Sequence, residues 1–442
     1  MKVGVSSVNI TPPIGVPMAG YSAREEAAKG IHDDLYAKVI VFDDGDAKAA
    51  LVRCDLIGLE RDFVEETRRL IEDETGIHGS NVMIACTHTH SGPITNPLLP
   101  DLNAWMKVLS RKIKGAVAAA HRNMKDAKIS FNHGSVEGIV INRRKLEGPV
   151  DTEVGVIRID DASGSPLAAL VNYTCHAVVL GSDNLLISAD YPGYVMDFVE
   201  KNLGIPTLFV NGACGDINPL DKLAIMRLKR NESIYNRRTG TFEEAKRLGT
   251  MIGAEAVKVF LGTETEENLE LKVASKDIKI PLSDLPSLEE AEKTLEENGR
   301  LFRRLVTEKG DVAQMYKVAM IIKHTQNIIG YLKSGENVRP TEIQVFKIGD
   351  NGLVALPGEI FVEIGMRIKE RSNLRYTFIC ELANDDIGYV PTEEAFKEPG
   401  YEVGVAKRLN YTDKVGRIIE ESALNTLASA DGFLSSALLN GD

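Results

Sequence analysis

The sequence predicts an α/β fold in which a mixed β-sheet core is flanked by helices, with a helical hairpin inserted into it. Three observations lead there. Short apolar runs alternate with amphipathic helical spacings through the first third of the chain. Hydrophobic residues make up 43% and charged residues 26% of the 442 positions, ordinary globular usage that excludes collagen-like, disordered and coiled-coil chains. Polar, chemistry-bearing clusters repeatedly follow the apolar runs, as they do where loops extend from the carboxyl ends of strands in α/β sheets.

Taken in order, Val39 to Phe42 and Ala49 to Arg53 read as strands, and Arg61 to Glu74 as an amphipathic helix that Gly76 stops. Val82 to Ala85 is another apolar strand. Asn103 to Met124 carries helical spacing at Met106, Leu109, Ile113, Val117 and Ala120. Arg227 to Arg238 is basic, has no apolar period and reads as a loop. From about residue 286 to 335 the texture becomes charge-rich and helical, opening on a capping-box pattern at Ser287 and Glu290. Charge runs are usually solvated faces, so this hairpin is expected to be a structural insertion, with a lid or an oligomer contact as the alternatives. No repeat, low-complexity tract or Pro/Ser-rich linker divides the chain, so residues 1–442 are expected to form a single catalytic domain.

The charge balance of 52 basic against 64 acidic residues gives −12, which offers no global basic field to nucleic acid or anionic lipid. No stretch approaches ~18 consecutive apolar residues, so no integral membrane segment is expected. Met1 to Pro13 has neither a basic leader region nor a long apolar one. Five cysteines, Cys54, Cys86, Cys175, Cys214 and Cys380, without a C-x-x-C pair disfavour both a disulfide framework and a thiolate metal site. A cytoplasmic location is the expectation; the oligomeric state is left open.

Five polar clusters follow apolar runs: Thr87-His88-Thr89-His90, Cys175-His176, Asn211 to Asp216, Pro357-Gly358-Glu359, and Asn384 to Tyr389. Residues i and i+2 of an extended segment share a face, so His88 and His90 can both look into one site. Alone, the pair suits either a metal or a hydrogen-bonded structural role, and His176 suits either a ligand or a satisfied core histidine. Glu359 and Tyr389 follow tight-turn residues, and Asn211 to Asp216 has the glycines of a backbone nest for an anion without the Lys-Ser or Lys-Thr of a phosphate-binding loop. Cys86, Cys175 and Cys214 read as small buried hydrophobes.

Taken together, these strings resemble the catalytic domain of the neutral/alkaline non-lysosomal ceramidase family. The resemblance rests on Ile10-Thr11-Pro12-Pro13, Met18-Ala19-Gly20-Tyr21, Gly30-Ile31-His32-Asp33, Thr87 to Pro93, Asn142-Arg143, His176, Ser188-Ala189-Asp190 with Gly193-Tyr194, Gly215-Asp216 with Pro219, Leu356 to Glu359 and Gly388-Tyr389, in that order. It implies one zinc held by His88, His176, Glu359 and Tyr389, donor types that suit the metal. It also implies that His90, Arg143 and Tyr401 polarise the substrate amide and stabilise the oxyanion, and that Asp190 orients a ligand. Where the family carries a serine held to take part in amide cleavage, this chain has Asn218, within Gly215-Asp216-Ile217-Asn218-Pro219. Asparagine supplies no alkoxide, so the expected reaction is zinc-dependent hydrolysis of a linear amide in an N-acyl compound by metal-activated water, with Asp216 as general base. Ester or phosphoester hydrolysis, and a non-catalytic ligand-binding role, are the alternatives.

Overall fold

A computed structural model describes residues 1–220, 226, 240–308 and 310–432. The basic segment Arg227 to Arg238 lies outside the described residues. The first half of the chain runs β1 (Lys2–Asn9), β2 (Gly30–Ile31), β3 (Tyr36–Asp43), β4 (Lys48–Cys54), α1 (Arg61–Thr75), β5 (Val82–Cys86), α2 (Pro100–Arg122), β6 (Lys125–Ser135), β7 (Val140–Asn142), β8 (Glu153–Asp161), β9 (Pro166–Tyr173), β10 (Leu186–Ile187), α3 (Asp190–Leu203), β11 (Thr207–Asn211) and β12 (Ile217–Pro219). The second half runs α4 (Phe242–Leu261), β13 (Leu271–Pro281), α5 (Leu288–Thr307), α6 (Val312–Ser334), β14 (Val338–Ile348), β15 (Asn351–Ala355), β16 (Glu359–Ile360), α7 (Val362–Arg371), β17 (Tyr376–Cys380), β18 (Tyr389–Val390), α8 (Glu393–Phe396), α9 (Tyr401–Arg408) and α10 (Val415–Asp431).

An eight-stranded sheet is ordered β11-β9-β8-β6-β1-β3-β4-β5, and a four-stranded sheet β13-β14-β15-β17. Both are mixed: β4 pairs parallel with β5, β9 with β11 and β15 with β17, while their other pairings are antiparallel. Phe42, Met83, Phe131, Ile157 and Leu208 of the larger sheet share one apolar core with Phe346, Leu353 and Phe378 of the smaller, so the two sheets stack face to face. The Phe131 and Phe378 ring centroids are 5.5 Å apart across that interface.

Helices cover the outer faces. Val64 and Ile71 of α1 and Ile113 and Val117 of α2 pack on Val39, Val41 and Val52. Val195 of α3 and Leu248 and Ile252 of α4 pack on Val156, Val171 and Phe209. Ile364 of α7 and Ile419 of α10 pack on Val345, Val354 and Ile379 of the smaller sheet. Strands buried on both faces have no solvent side to mark with polar residues. This explains why β5, β11 and the middle of β3 are continuous apolar runs rather than alternating ones.

Gly76 ends α1 in the left-handed conformation at φ 72°, the backbone state a glycine adopts without steric cost. The second helix starts earlier than the periodicity indicates, with Pro100 at its first position, and yields to β6 at Lys125. Ser287 caps α5 through the expected box, its hydroxyl accepting from Glu290 N while the Glu290 carboxylate accepts from Ser287 N. The α5–α6 hairpin is inserted between the paired strand ends Pro281 and Val338. It is more than a solvated insertion, because Tyr316, Lys323 and His324 of α6 line a cleft together with His88 and Glu359.

That cleft lies where strand ends from both sheets meet. Cys86 N donates to Leu382 O (3.2 Å), Asn384 N to Ile84 O (2.8 Å) and Glu381 N to Asn211 O (3.1 Å). Asn211 Nδ2 adds a bond to Thr87 O at 2.8 Å. The stacked core brings these ends together, which makes its integrity testable. Phe378→Ala removes a fully buried ring between the sheets and should cost about 3–5 kcal/mol in denaturant unfolding. A loss below about 1 kcal/mol would mean that this contact does not hold the sheets together.

Candidate functional site

Three histidines and a glutamate converge on the floor of the cleft. His88 follows β5 with φ at 59°, a left-handed conformation uncommon for a residue with a Cβ, which turns its ring inward. Its Nδ1 lies 2.6 Å from Ile57 O and its Nε2 3.3 Å from Glu359 Oε2. His176, beyond the end of β9, repeats the arrangement: Nδ1 is 2.6 Å from Cys214 O and Nε2 is 3.0 Å from the same carboxylate oxygen. A carbonyl only accepts, so both Nδ1 atoms carry a proton, and Nε2 is the nitrogen of each ring left to face Glu359 and to serve as the ligand atom when the ring is neutral.

His90 completes the group, its Nε2 lying 3.2 Å from that of His88. Its Nδ1 is buried and has no hydrogen-bond partner among the described residues. The ring is held by packing instead. Tyr21 meets it edge-on at 5.0 Å, and Gly20, at φ 94°, lies so close that a Cβ there would sit 2.3 Å from Nδ1. Gly20 therefore answers both a conformational and a spatial demand.

Glu359 reaches the cluster from β16, whose parallel pairing with β18 sets Glu359 directly beside Tyr389. Burial pushes the Glu359 carboxyl up, but His88 and His176 against it prevail and hold it well below the usual range. Burial lowers His88, yet Glu359 leaves it raised overall. His90 is pushed well below its ordinary value by burial and then by its two histidine neighbours. His176 is lowered to about 4 by burial, assisted by Arg143. The resulting donor set is imidazole nitrogens with anchored tautomers facing one carboxylate oxygen, all ligand atoms of the three histidines lying within 4.8 Å of one another. This set fits a divalent transition metal of borderline softness.

Tyr389 is buried beside the cluster, and its hydroxyl receives a hydrogen bond from Arg143 Nη2 at 3.0 Å. Arg143 lies behind the cleft floor, donating also to Glu402 Oε1 (2.8 Å), Gly215 O (2.8 Å) and Asn218 Oδ1 (3.1 Å). In these contacts Arg143 supports Tyr389 and the 215–218 segment. Tyr401, 47% exposed at the start of α9, lines the cleft with its ring 5.7 Å from that of Tyr389.

Asp216 is set apart. Its carboxylate accepts from Asn142 Nδ2 (2.8 Å) and Val362 N (2.8 Å), and burial pushes it up to about 6. With both oxygens engaged by the scaffold, it is a fastener between β7, β12 and α7 rather than a base turned toward water. Asp190 likewise accepts from Leu180 N and Tyr191 N, and the ligand orientation expected of it falls to the Ile57 and Cys214 carbonyls. Asp33 fastens the same region by accepting from Ser188 Oγ and Ala189 N.

The expected anion nest is filled from within. Gly212 N donates to Tyr173 O, Gly215 N to Ile360 O and Cys214 N to the Glu381 carboxylate, so these donors are spent on the protein. All five cysteines are buried as free thiols, and burial pushes them above their ordinary value.

The cleft has a volume of about 480 Å³. Sequence reasoning passed over much of its wall: Arg61 at the start of α1, Tyr316, Lys323 and His324 on α6, Arg339 on β14, and Asp386 in the turn before β18. The one available signal was that Asp386 lies inside the Asn384 to Tyr389 cluster; the helical residues are ordinary polar residues whose role comes only from where the hairpin docks. Asp386 Oδ1 accepts from Gly388 N at 3.0 Å. Burial, then Glu359, pushes its carboxyl up to about 6.

Residues 1–208 match the family described as neutral/alkaline non-lysosomal ceramidase, N-terminal. Neutral ceramidase of Drosophila melanogaster is 27% identical over 255 residues, covering 49% of this chain and 36% of that protein, so the chain spans about a third of this relative's length. Neutral ceramidase of Pseudomonas aeruginosa is 23% identical over 471 residues, covering 91% of this chain and 68% of that protein. Its crystal structure superposes with a TM-score of 0.74 at 20% identity over 98% of this chain and 74% of that one. A structure described as ceramidase complexed with C2 gives 0.73 at 17% identity over 100% and 77%. Residues 1–208 are therefore similar to the neutral/alkaline non-lysosomal ceramidase family, and across nearly its whole length the chain has the fold of the neutral ceramidase structures.

Proposed function

We propose that this protein is a zinc-dependent amidohydrolase that cleaves a linear amide in an N-acyl compound. The observation that carries the reading is the pair of Nδ1-to-carbonyl hydrogen bonds at His88 and His176, which turn both Nε2 atoms toward Glu359 at the floor of a cleft. In this reading His88, His176 and Glu359 hold the metal, with Tyr389 as the fourth donor. When bound, zinc supplies Lewis acidity and lowers the pKa of water at neutral pH.

The chain's own residues provide the remainder. His90 and Tyr401, at the floor and rim of the cleft, are suited to donate hydrogen bonds to the amide carbonyl as negative charge develops on its oxygen. Burial pushes the Tyr389 hydroxyl well above its ordinary value and the Arg143 cation works against that rise, so Arg143 assists Tyr389 as an oxygen donor. Asp386 takes the proton-transfer role expected of Asp216, because it lines the cleft and its carboxyl lies near neutrality. Asn218, held by Arg143 in the position of the family's serine, offers no oxygen nucleophile, so water attacks the amide directly.

The cleft wall also bears on substrate. Lys323, His324, Arg61, Arg339 and Asp386 surround the approach to the histidines. A long alkyl chain gains about 0.8 kcal/mol per CH₂ only where it leaves water for apolar surroundings. The same wall also carries Ile57, Ile94, Met320, Val405 and Leu409, so the preference proposed here, for a short or polar N-acyl compound, rests on the charged part of a mixed lining.

Elemental analysis of purified protein should find one transition metal per chain. His88→Ala and His176→Ala should lose it, whereas His90→Ala should retain it and lower kcat by about 10²- to 10³-fold, the usual effect of removing one oxyanion donor. Protein that holds no stoichiometric metal, or a His88→Ala/His176→Ala double variant that keeps it, would refute the assignment.

Comparing kcat/KM for N-acyl substrates of increasing chain length, free and in vesicles, tests the substrate reading. Short soluble compounds should be preferred, and a steady preference for long-chain ceramide in vesicles would overturn it. Quenched turnover mixtures should contain no acylated Ser, Thr or Cys by mass spectrometry.

Asp386 gives a pH test with a definite sign. Its carboxyl is raised in the folded protein, so its protonated form stabilises the fold below about pH 4, and this contribution is lost as pH rises through about 6. Asp386→Asn should therefore raise the melting temperature of metal-free protein more at pH 8 than at pH 4, while lowering kcat. Equal shifts at both pH values would remove the proposed protonation of this residue.

A further inference from the structure

We propose that Glu381 is a positioning residue for the metal centre, its carboxylate setting the separation between His176 and Glu359. The inference rests on the reading that these two side chains hold a metal. Glu381 follows β17 and is fully buried. Its Oε2 accepts from two backbone donors on separate segments, Cys214 N at 2.9 Å and Ile360 N at 3.2 Å. Its Oε1 accepts from the Cys214 thiol at 2.6 Å.

Each of those donors stands one step from the metal site. Cys214 O is the acceptor that fixes the His176 imidazole, and Ile360 directly follows Glu359. Gly215 N donates to Ile360 O at 2.8 Å, so the two segments touch directly as well as through the carboxylate. The Glu381 backbone N–H donates to Asn211 O, and the Asn211 amide donates to Thr87 O, immediately before His88. One residue thus joins the backbone behind three of the four ligand side chains. A buried acidic side chain at the end of the apolar run Tyr376–Cys380 is otherwise hard to reconcile with its surroundings, because burying a carboxyl group is unfavourable unless its oxygens are satisfied.

The geometry makes the two backbone donors to Oε2 the essential feature. Glutamine keeps an oxygen for both donors at the same reach. Methionine keeps the length and removes the acceptor, leaving two buried N–H groups unpaired. Aspartate keeps a carboxylate but withdraws it by one methylene.

Metal affinity, measured by competition with a chelator, and the visible spectrum of the cobalt-loaded protein test this together. Glu381→Met should weaken Zn²⁺ and Co²⁺ binding by about 10- to 100-fold, as loss of a group that orients ligands does, and should shift the cobalt absorption bands. Glu381→Gln should stay close to wild type in both measurements. Should Glu381→Met fail to fold, Glu381→Asp carries the same expectation of weaker binding and an altered spectrum with a carboxyl group retained. The melting temperature of metal-free protein separates a general loss of stability, which would leave the cobalt spectrum unchanged in the molecules that bind. Wild-type affinity and spectrum in Glu381→Met or its Asp substitute, or an equal loss in Glu381→Gln, would overturn the positioning role. Wild-type protein that binds neither metal would overturn the metal reading itself, and the role of Glu381 with it.

Discussion

A buried carboxylate held between two imidazoles is the interaction on which the rest of this structure depends. Glu359 is removed from water in a place where an isolated charge would be strongly unfavourable, and His88 and His176 make its ionised form the stable one. Each imidazole can face the carboxylate only because its other nitrogen is tied to a backbone carbonyl, Ile57 or Cys214. Those carbonyls belong to loops after β4 and β11, so the placement of one side-chain oxygen requires strand ends in two stacked sheets to be correct at once. The apolar core between the sheets and the polar contacts at the strand ends are two parts of one requirement.

Much of this was legible in the sequence because buried strands and tight turns leave local marks. An apolar run without alternation identified β5, and the polar clusters Thr87 to His90, Asn211 to Asp216 and Asn384 to Tyr389 follow β5, β11 and β17, whose ends the fold carries to one region. Gly76 and the Ser287 box marked helix ends through short-range chemistry that tertiary context did not override. The destinations of hydrogen bonds were not legible. Asp216 and Asp386 are both acidic residues in glycine-containing loops, and only the partners of Asp216, Asn142 and Val362, distinguish a fastener from a group that lines the cleft. Arg143 carried the same ambiguity, since a guanidinium with five donors can face a substrate or brace a scaffold.

The hairpin was the least legible feature. Its charge pattern describes a helix pair with solvated faces, and that description holds for much of α5. Nothing local distinguishes Tyr316, Lys323 or His324 from their neighbours as cleft residues, because their role is set by the surface of the body on which α6 rests. A side chain's chemistry is encoded nearby, whereas its address is encoded by the whole chain.

The point of attachment of that hairpin has a consequence for how such a protein can diversify. Pro281 and Val338 are register partners on adjacent strands, so the intervening segment leaves and returns at one place on the sheet. The entropy of closing such an excursion grows only slowly with its length, and the strands on either side need not move to accommodate a longer, shorter or differently coloured insert. The histidines and Glu359 sit on other elements. Evolution, or an engineer, can therefore exchange this cassette to retune which molecules gain entry while inheriting the reactive floor intact, making recognition and chemistry separately heritable traits of one chain.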